Sequence, residues 1–131
     1  MENQNAVRVP ILNDADIKSG ATGAAVVTYG QPLPFIYRAR LLAIYLDVYS
    51  LFAASGTNTI AVTGEYSIDG VNWKAFASTV LSVTATGIAV AEYSTTSEFG
   101  PLVRFNVTIS NASSSEATAR LSAVVKAVFV S

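Results

Sequence analysis

The sequence predicts an all-β fold, namely one antiparallel β-sandwich domain of jelly-roll or immunoglobulin-like type. Residues 59–68 alternate between apolar and polar or small side chains. A period of two indicates a strand with one buried and one solvated face. Residues 102–110 alternate in the same way. Turn signals recur about every eight to twelve residues, which is typical of a sandwich of short strands.

The composition limits the classes of function. The chain has 131 residues, no Cys, no His and a net charge of −1. This length suits a single domain with its own core. The commonest general base and the thiol ligands of zinc are missing, and the charge does not favour binding to phosphates. We therefore expect no enzymatic activity, no cofactor, no metal site and no nucleic-acid partner.

Apolar residues are in excess over charged ones. Hydrophobic residues make up 51% and charged residues 13% of the chain, whereas about 25% of an ordinary soluble domain is charged. The longest apolar run, residues 41–54, contains Asp47 and Ser50 and is too short for a membrane-spanning helix. No basic segment precedes an apolar block near Met1, so we expect no signal peptide. The excess instead predicts burial against other subunits, for example in a homotrimer.

Residues 1–34 are interpreted as an extended N-terminal arm, and residues 35–131 as the sandwich domain. Residues 6–12 and 24–29 are short strand candidates, and Pro10 restricts the first of them to a sheet edge or a bulge. Residues 13–23 form a polar loop. The arm is predicted to bind a neighbouring subunit through Val7, Val9, Ile11 and Leu12.

Residues 35–52 form the longest strand candidate, and they are apolar on both faces for most of their length. Such a strand must be covered on both faces. One small sandwich supplies one cover, so a neighbouring subunit or the arm is expected to supply the other. The predicted interface residues here are Tyr37, Arg38, Arg40, Leu41, Tyr45 and Tyr49. The two arginines and Arg104 are either interface anchors or a solvated stripe.

Two dipeptides predict hairpins. Asp69-Gly70 predicts a tight turn after the strand at residues 59–68, with Trp73 on the return strand and its ring in the core. Thr86-Gly87 predicts a hairpin between residues 80–85 and 88–93. Residues 102–110 and 117–130 are the last two strands. The predicted core residues are Ile60, Val62, Tyr66, Trp73, Val103, Phe105, Val107 and Ile109.

Three aspartates are oxygen donors of the type that Ca²⁺ binds, namely Asp14, Asp16 and Asp69. Their spacing is not that of a calcium loop, and the turn accounts for Asp69, so no metal site is expected. Glu65 and Glu92 are the acidic residues on strands with the potential for hydrolytic chemistry. We expect both on solvated faces instead.

Asn106 and Asn111 begin Asn-x-Ser/Thr sequences, the acceptor pattern for N-glycosylation. With no sign of secretion in the sequence, both are interpreted as ordinary polar positions, one in a strand and one in a turn.

Three stretches resemble a recurrent kind of small phage virion protein, within residues 35–128. They read AASGTNTIAVTGEYSIDGVNWKAF, TATG and GPLVRFNVTISNASSSEATARLSAVVKA. In such proteins a small-residue turn leads into a strand that ends in a hairpin with an aromatic residue, and a Ser/Thr-rich turn precedes the closing strand. The resemblance implies a non-enzymatic virion component, either a capsid decoration or cement protein or a head–tail or tail accessory protein. Its partners would be other virion proteins such as a capsid protein.

A carbohydrate-binding or adhesin module is the alternative interpretation. Sugars stack on exposed aromatic rings, and Tyr37, Tyr45 and Tyr49 form one candidate row, while Trp73 with Tyr66 forms another. The same aromatic residues are equally suited to cores and subunit interfaces, where such side chains dominate.

Overall fold

The computed structural model describes residues 4–34, 41–76, 79–94 and 101–130. The predicted all-β class is confirmed. The strands are β1 (Gln4–Lys18), β2 (Val26–Tyr29), β3 (Leu41–Ala53), β4 (Asn58–Ser67), β5 (Lys74–Ala75), β6 (Leu81–Val83), β7 (Gly87–Ser94), β8 (Leu102–Asn111) and β9 (Ala117–Val130). These ranges contain no helix with the length and hydropathy needed to cross a membrane.

Two antiparallel sheets form the sandwich. The first sheet has the strand order β1-β9-β3-β7, and the second has the order β2-β8-β4-β5, with β6 also paired to β4. Between β5 and β6, the Phe76 and Val80 N–H groups donate to the Gly64 and Val62 carbonyls on β4. β5 and β6 therefore act as one interrupted edge strand. Each sheet then has four strands and the chain crosses repeatedly between them, which is a jelly-roll arrangement.

Alternating side chains from both sheets fill the space between them. Ile60 and Val62 on β4 and all four predicted core residues on β8 are confirmed as buried, and their partners in the first sheet come from β3 and β9. Tyr66 is half-buried and packs against this core. The fully buried larger side chains are Leu42, Ile44, Leu46, Val48, Ile60, Val62, Val103, Phe105, Val107, Ile109 and Leu121.

The predicted N-terminal arm is wrong for the described residues. β1 runs antiparallel to β9 from Gln4 to Lys18 as the edge strand of the first sheet, because the main-chain groups of a long extended segment need partners and β9 supplies them. Residues 13–18, predicted as a loop, continue this strand past two register shifts. One shift follows Pro10, so the expected place of this proline at an edge and a bulge is confirmed.

The predicted hairpin at Thr86-Gly87 is also wrong. β6 pairs with β4 in the second sheet, whereas β7 pairs with β3 in the first. The segment between them therefore carries the chain from one sheet to the other. Gly87, with a φ of 118°, adopts a backbone conformation that other residues rarely reach.

The turn at Asp69-Gly70 joins antiparallel strands as expected, but its loop is longer than a tight hairpin. Asp69 Oδ1 accepts hydrogen bonds from the Val71 N–H (2.9 Å) and the Asn72 N–H (2.8 Å). These bonds stabilise a wider loop between Ser67 and Lys74. Trp73 consequently lies at the end of the loop and not in the core cluster.

Candidate functional site

The outer face of the first sheet carries apolar side chains in a row across four strands. The pairing of β1, β9, β3 and β7 aligns Pro10, Val124, Tyr45 and Val90. Val90 is 51% exposed, and Ile88 on the same strand is 75% exposed. The uncovered face of an antiparallel sheet is normally polar. We call the four aligned residues, Pro10, Val124, Tyr45 and Val90, the apolar row.

Charged residues flank the apolar row with opposite signs at its two ends. In the neighbouring row, Arg8 on β1 and Lys126 on β9 align with Glu92 on β7. On the other side, Asp47 on β3 lies beside Ile88. Next to the apolar row, the outer face is thus positive over β1 and β9 and negative over β3 and β7.

Two contacts fix side chains on this face. The Arg8 guanidinium carbon lies 5.9 Å from the centre of the Tyr45 ring, within the range of a cation–π interaction. The Tyr49 hydroxyl lies 2.9 Å from Ser122 Oγ and donates to it. Both tyrosines, predicted as interface residues, therefore lie on the same outer face.

The other predicted interface residues are distributed differently. Val9, Ile11 and Leu12, predicted to contact a neighbouring subunit, are partly buried and pack against the core of their own sandwich. Val7 is 39% exposed on β1. Tyr37, Arg38 and Arg40 lie outside the described residues, and Leu41 is described only by its strand position.

Two of the three aspartates considered as Ca²⁺ ligands have other partners. Asp14 accepts hydrogen bonds from Arg120 Nε (2.6 Å) and Nη2 (2.7 Å), and this hydrogen bonding lowers the pKa of Asp14. Asp69 accepts the hydrogen bonds of its loop. Within the described part of the chain, no three His, Cys, Asp or Glu residues are grouped as metal ligands would be.

A second cluster lies on the outer face of the second sheet. The Arg104 guanidinium carbon lies 4.6 Å from the Tyr29 ring centre and 4.1 Å from the Trp73 ring centre. Its Nε donates to Glu65 Oε1 at 3.0 Å. The arginine is therefore neither a solvated residue nor an open interface anchor. Its cation–π contacts hold the loop before β5 and the end of β2 on the sheet.

Asn106 also belongs to this cluster. Its Nδ2 donates to Glu65 Oε1 at 2.5 Å, and its Oδ1 accepts from the Gly30 N–H at 3.1 Å. Glu65 is consequently half-buried, and the expectation of a solvated position is wrong for it, whereas Glu92 is exposed as expected. Asn106 itself is only 2% exposed.

Asn111 is buried as well. Its Nδ2 donates to the Ser55 carbonyl (3.0 Å) and to Asn58 Oδ1 (2.7 Å). Both sequon asparagines thus use their amide nitrogen inside the fold, which agrees with their interpretation as structural positions.

A groove of about 380 Å³ opens beside the Glu65 cluster. It lies over β2, β8 and β4 and reaches the interrupted edge strand. Tyr29, Glu65 and three threonines are among the residues that line it. The lining residues used below are Val27, Tyr29, Thr63, Glu65, Phe76 and Thr108.

Several residues of these two surfaces were not identified as surface residues from the sequence. Ile88 and Val90 were assigned to a hairpin, and Val124 lies between the inward residues of β9. On β7 the signal was present, because Ile88 and Val90 occupy successive outward positions, whereas on β9 the outward neighbours of Val124 are Ser122 and Lys126. No local sequence pattern contains the alignment of Val90 with Tyr45 and Val124, because that alignment depends on strands that are distant in sequence.

No protein-family model matches the sequence, and no curated protein matches it. Solved structures do. A structure of the Gx strain of infectious bursal disease virus matches 97% of this chain and 32% of that chain, with 12% identity and a TM-score of 0.58. The VP2 subviral particle of infectious bursal disease virus matches 96% and 33%, with 12% identity and a TM-score of 0.55.

A structure of carbohydrate-binding modules from the β-sandwich superfamily matches 98% of this chain and 54% of that chain, with 10% identity and a TM-score of 0.51. The chain spans about a third of the length of the two viral proteins. At such identities the likeness concerns the fold alone. It agrees with the predicted β-sandwich fold, and it identifies no family.

Proposed function

We propose that this chain is a non-enzymatic structural subunit of a virion that self-associates through the outer face of its first sheet. The observation that carries the proposal is the apolar row between oppositely charged ends. Val90 and Ile88 are exposed there, and covering such side chains releases free energy in proportion to the apolar area removed from water.

The occupant of this face is a second copy of the chain, because the charge pattern is self-complementary. A two-fold axis parallel to the strands places β1 and β9 of one copy over β7 and β3 of the other. Arg8 of each copy then faces Glu92 of its partner, and the two apolar rows meet. A contact of this type uses the same patch on both copies and closes into a dimer.

The size of the face suits a weak contact. Four strands spaced about 4.8 Å apart and about 25 Å long cover on the order of 500 Å² per copy. The total of roughly 1,000 Å² lies at the lower limit of specific interfaces. Such a contact gives modest affinity in solution and gains strength where many copies are held together on a particle.

A virion location is supported by two observations of different kinds. The sequence resembles small phage virion proteins, and the fold is similar to proteins of infectious bursal disease virus. A role as a capsid decoration or cement protein, or as a head–tail or tail accessory protein, fits a small sandwich with one apolar face. Because β1 belongs to the first sheet, the proposed self-association uses this face and not an arm. The absence of His and Cys from the sequence supports a non-enzymatic role.

Sedimentation equilibrium tests the self-association with a matched pair of variants. Val90→Lys places a charge in the apolar row, whereas Val71→Lys places the same charge on an 80% exposed valine in the loop before β5. We expect the native chain and Val71→Lys to dimerise at about 100 µM and Val90→Lys to stay monomeric. A monomeric native chain, or equal dimerisation of both variants, would overturn the proposed contact. Mass spectrometry of purified virions from the source of the sequence tests the location, since a virion subunit must be detected in them.

A further inference from the structure

We propose that the groove beside Glu65 is a binding site for a neutral saccharide. It lies on the outer face of the second sheet, so it is separate from the apolar row of the first. Its volume of about 380 Å³ is near the lower end of small-molecule sites. That volume suits one or two sugar rings.

The Glu65 carboxylate is held in a fixed orientation with one oxygen available. Oε1 accepts from Arg104 Nε and Asn106 Nδ2. Among the described residues nothing hydrogen-bonds to Oε2, and no buried side-chain nitrogen or oxygen lacks a partner. Glu65 lines the groove, so Oε2 is the oxygen that we assign to the ligand. A ligand hydroxyl that donates to it forms a charge-assisted hydrogen bond, which is stronger than a neutral one.

The other lining residues match the two kinds of group on a pyranose ring, namely its C–H groups and its hydroxyls. Tyr29 is 60% exposed and forms one wall, and the electron-rich face of an aromatic ring attracts the C–H groups of a sugar. Thr63 and Thr108 contribute hydroxyls that donate or accept as the ligand requires. The cation–π contact of Tyr29 with Arg104 orients this wall before any ligand binds.

The electrostatics of the cluster select a neutral ligand. Glu65 and Arg104 form an ion pair, so the wall has no net charge to attract an ion of either sign. An anionic ligand would meet the carboxylate oxygen directly. An apolar ligand would remove Oε2 and the threonine hydroxyls from water without replacing their hydrogen bonds, which is costly. A polyhydroxylated neutral molecule satisfies all of these groups.

A glycan array followed by titration tests this inference. The purified chain is applied to an array of neutral and anionic oligosaccharides, and the best neutral ligand is titrated by calorimetry. Trp73 is the single tryptophan of the chain and packs on Arg104, so its fluorescence reports on the cluster in the same titration.

Three variants locate the site. Glu65→Gln keeps an oxygen acceptor for Arg104 and Asn106 but removes the carboxylate charge, and Thr108→Val removes the hydroxyl of a lining residue without changing the ion pair. We expect each to weaken binding about tenfold or more. Tyr49→Phe removes a tyrosine hydroxyl on the opposite sheet and is expected to leave binding unchanged.

The outcomes separate clearly. Neutral oligosaccharide binding that is weakened by both groove variants and not by Tyr49→Phe supports the site. Absence of any glycan binding on the array, binding of anionic glycans only, or affinity unchanged in Glu65→Gln and Thr108→Val would each overturn it.

Discussion

The Arg104 guanidinium carbon lies 4.1 Å from the centre of the Trp73 ring, on the outer face of the second sheet. The tryptophan that the sequence suggested as a core plug instead covers a charged side chain at the surface. The centre of the Tyr29 ring lies 4.6 Å from the same guanidinium carbon. These contacts fasten the loop before β5 and the end of β2 to β8, and Tyr29 also lines the Glu65 groove.

Replacing Arg104 tests the contribution of these contacts to stability. Arg104→Ala removes two cation–π contacts and leaves Glu65 with one donor fewer, so we expect the free energy of unfolding to fall by about 2 kcal/mol. Arg104→Lys keeps the charge but not the planar group or the Nε donor. Its free energy of unfolding should lie between those of the native chain and of Arg104→Ala. Urea unfolding followed by circular dichroism measures both. An Arg104→Ala curve that superimposes on the native one would contradict a structural role for these contacts.

The Asp69 loop predicts a specific dependence on pH. Hydrogen bonds from the Asn72 and Val71 backbone N–H groups, and then from the Asn72 side chain, hold the pKa of Asp69 far below its ordinary value of 3.8. A carboxyl with a lowered folded-state pKa stabilises the fold above its unfolded-state pKa, and this contribution is lost as the pH falls below about 4. We therefore expect the stability difference between the native chain and Asp69→Asn to shrink between pH 5 and pH 2. Unfolding curves at a series of pH values measure it, and a difference independent of pH would contradict the assignment.

Two glycines differ in what an added methyl group would meet. At Gly30 a Cβ would lie 2.0 Å from the Phe105 carbonyl oxygen, which is backbone, whereas at Gly64 it would lie 2.3 Å from the Phe76 ring, a side chain. Backbone in a sheet cannot move aside as a ring can. We expect Gly30→Ala to cost about 3 kcal/mol and Gly64→Ala about 1 kcal/mol. Thermal and urea unfolding provide the comparison, and the reverse order would show that the close approach at Gly30 is not real.

Deleting residues 1–18 distinguishes a sheet strand from an arm. The deletion removes β1 and the half-buried Val9, Ile11, Leu12 and Ile17. At about 1 kcal/mol for each half-buried aliphatic side chain, the loss is a large share of the ordinary stability of a domain. We expect a truncated chain without a cooperative thermal transition and with strong binding of a hydrophobic dye. A truncated chain that melts as sharply as the native one, at the same temperature, would restore the arm interpretation.

The sequence predicted the core of the second sheet well, because that information is local. The alternation of Val103, Phe105, Val107 and Ile109 identifies a strand and its buried face without knowledge of its neighbours. The turn at Asp69-Gly70 was also local. Its length was not predictable from the dipeptide alone, since it depends on the hydrogen bonds that Asp69 accepts from residues 71 and 72.

The relationships that form the two candidate surfaces are not local. Glu65 and Arg104 are adjacent because β4 and β8 pair in one register, although 39 positions separate them in sequence. Alternation placed Glu65 on the outer face correctly, but it contained no information on the arginine and asparagine that partly bury it. The arm was misread for a similar reason, because the partner that makes β1 a strand is β9, at the opposite end of the chain.

The self-complementary face of the first sheet is tested most directly by a charge-swap series in sedimentation equilibrium. Arg8 and Glu92 of one copy face Glu92 and Arg8 of the other in the proposed dimer. We expect Arg8→Glu and Glu92→Arg each to weaken dimerisation about tenfold, and the double variant, which restores opposite charges, to recover most of the native affinity. A native chain that stays monomeric at about 100 µM, or a double variant no better than either single one, would contradict the proposed contact.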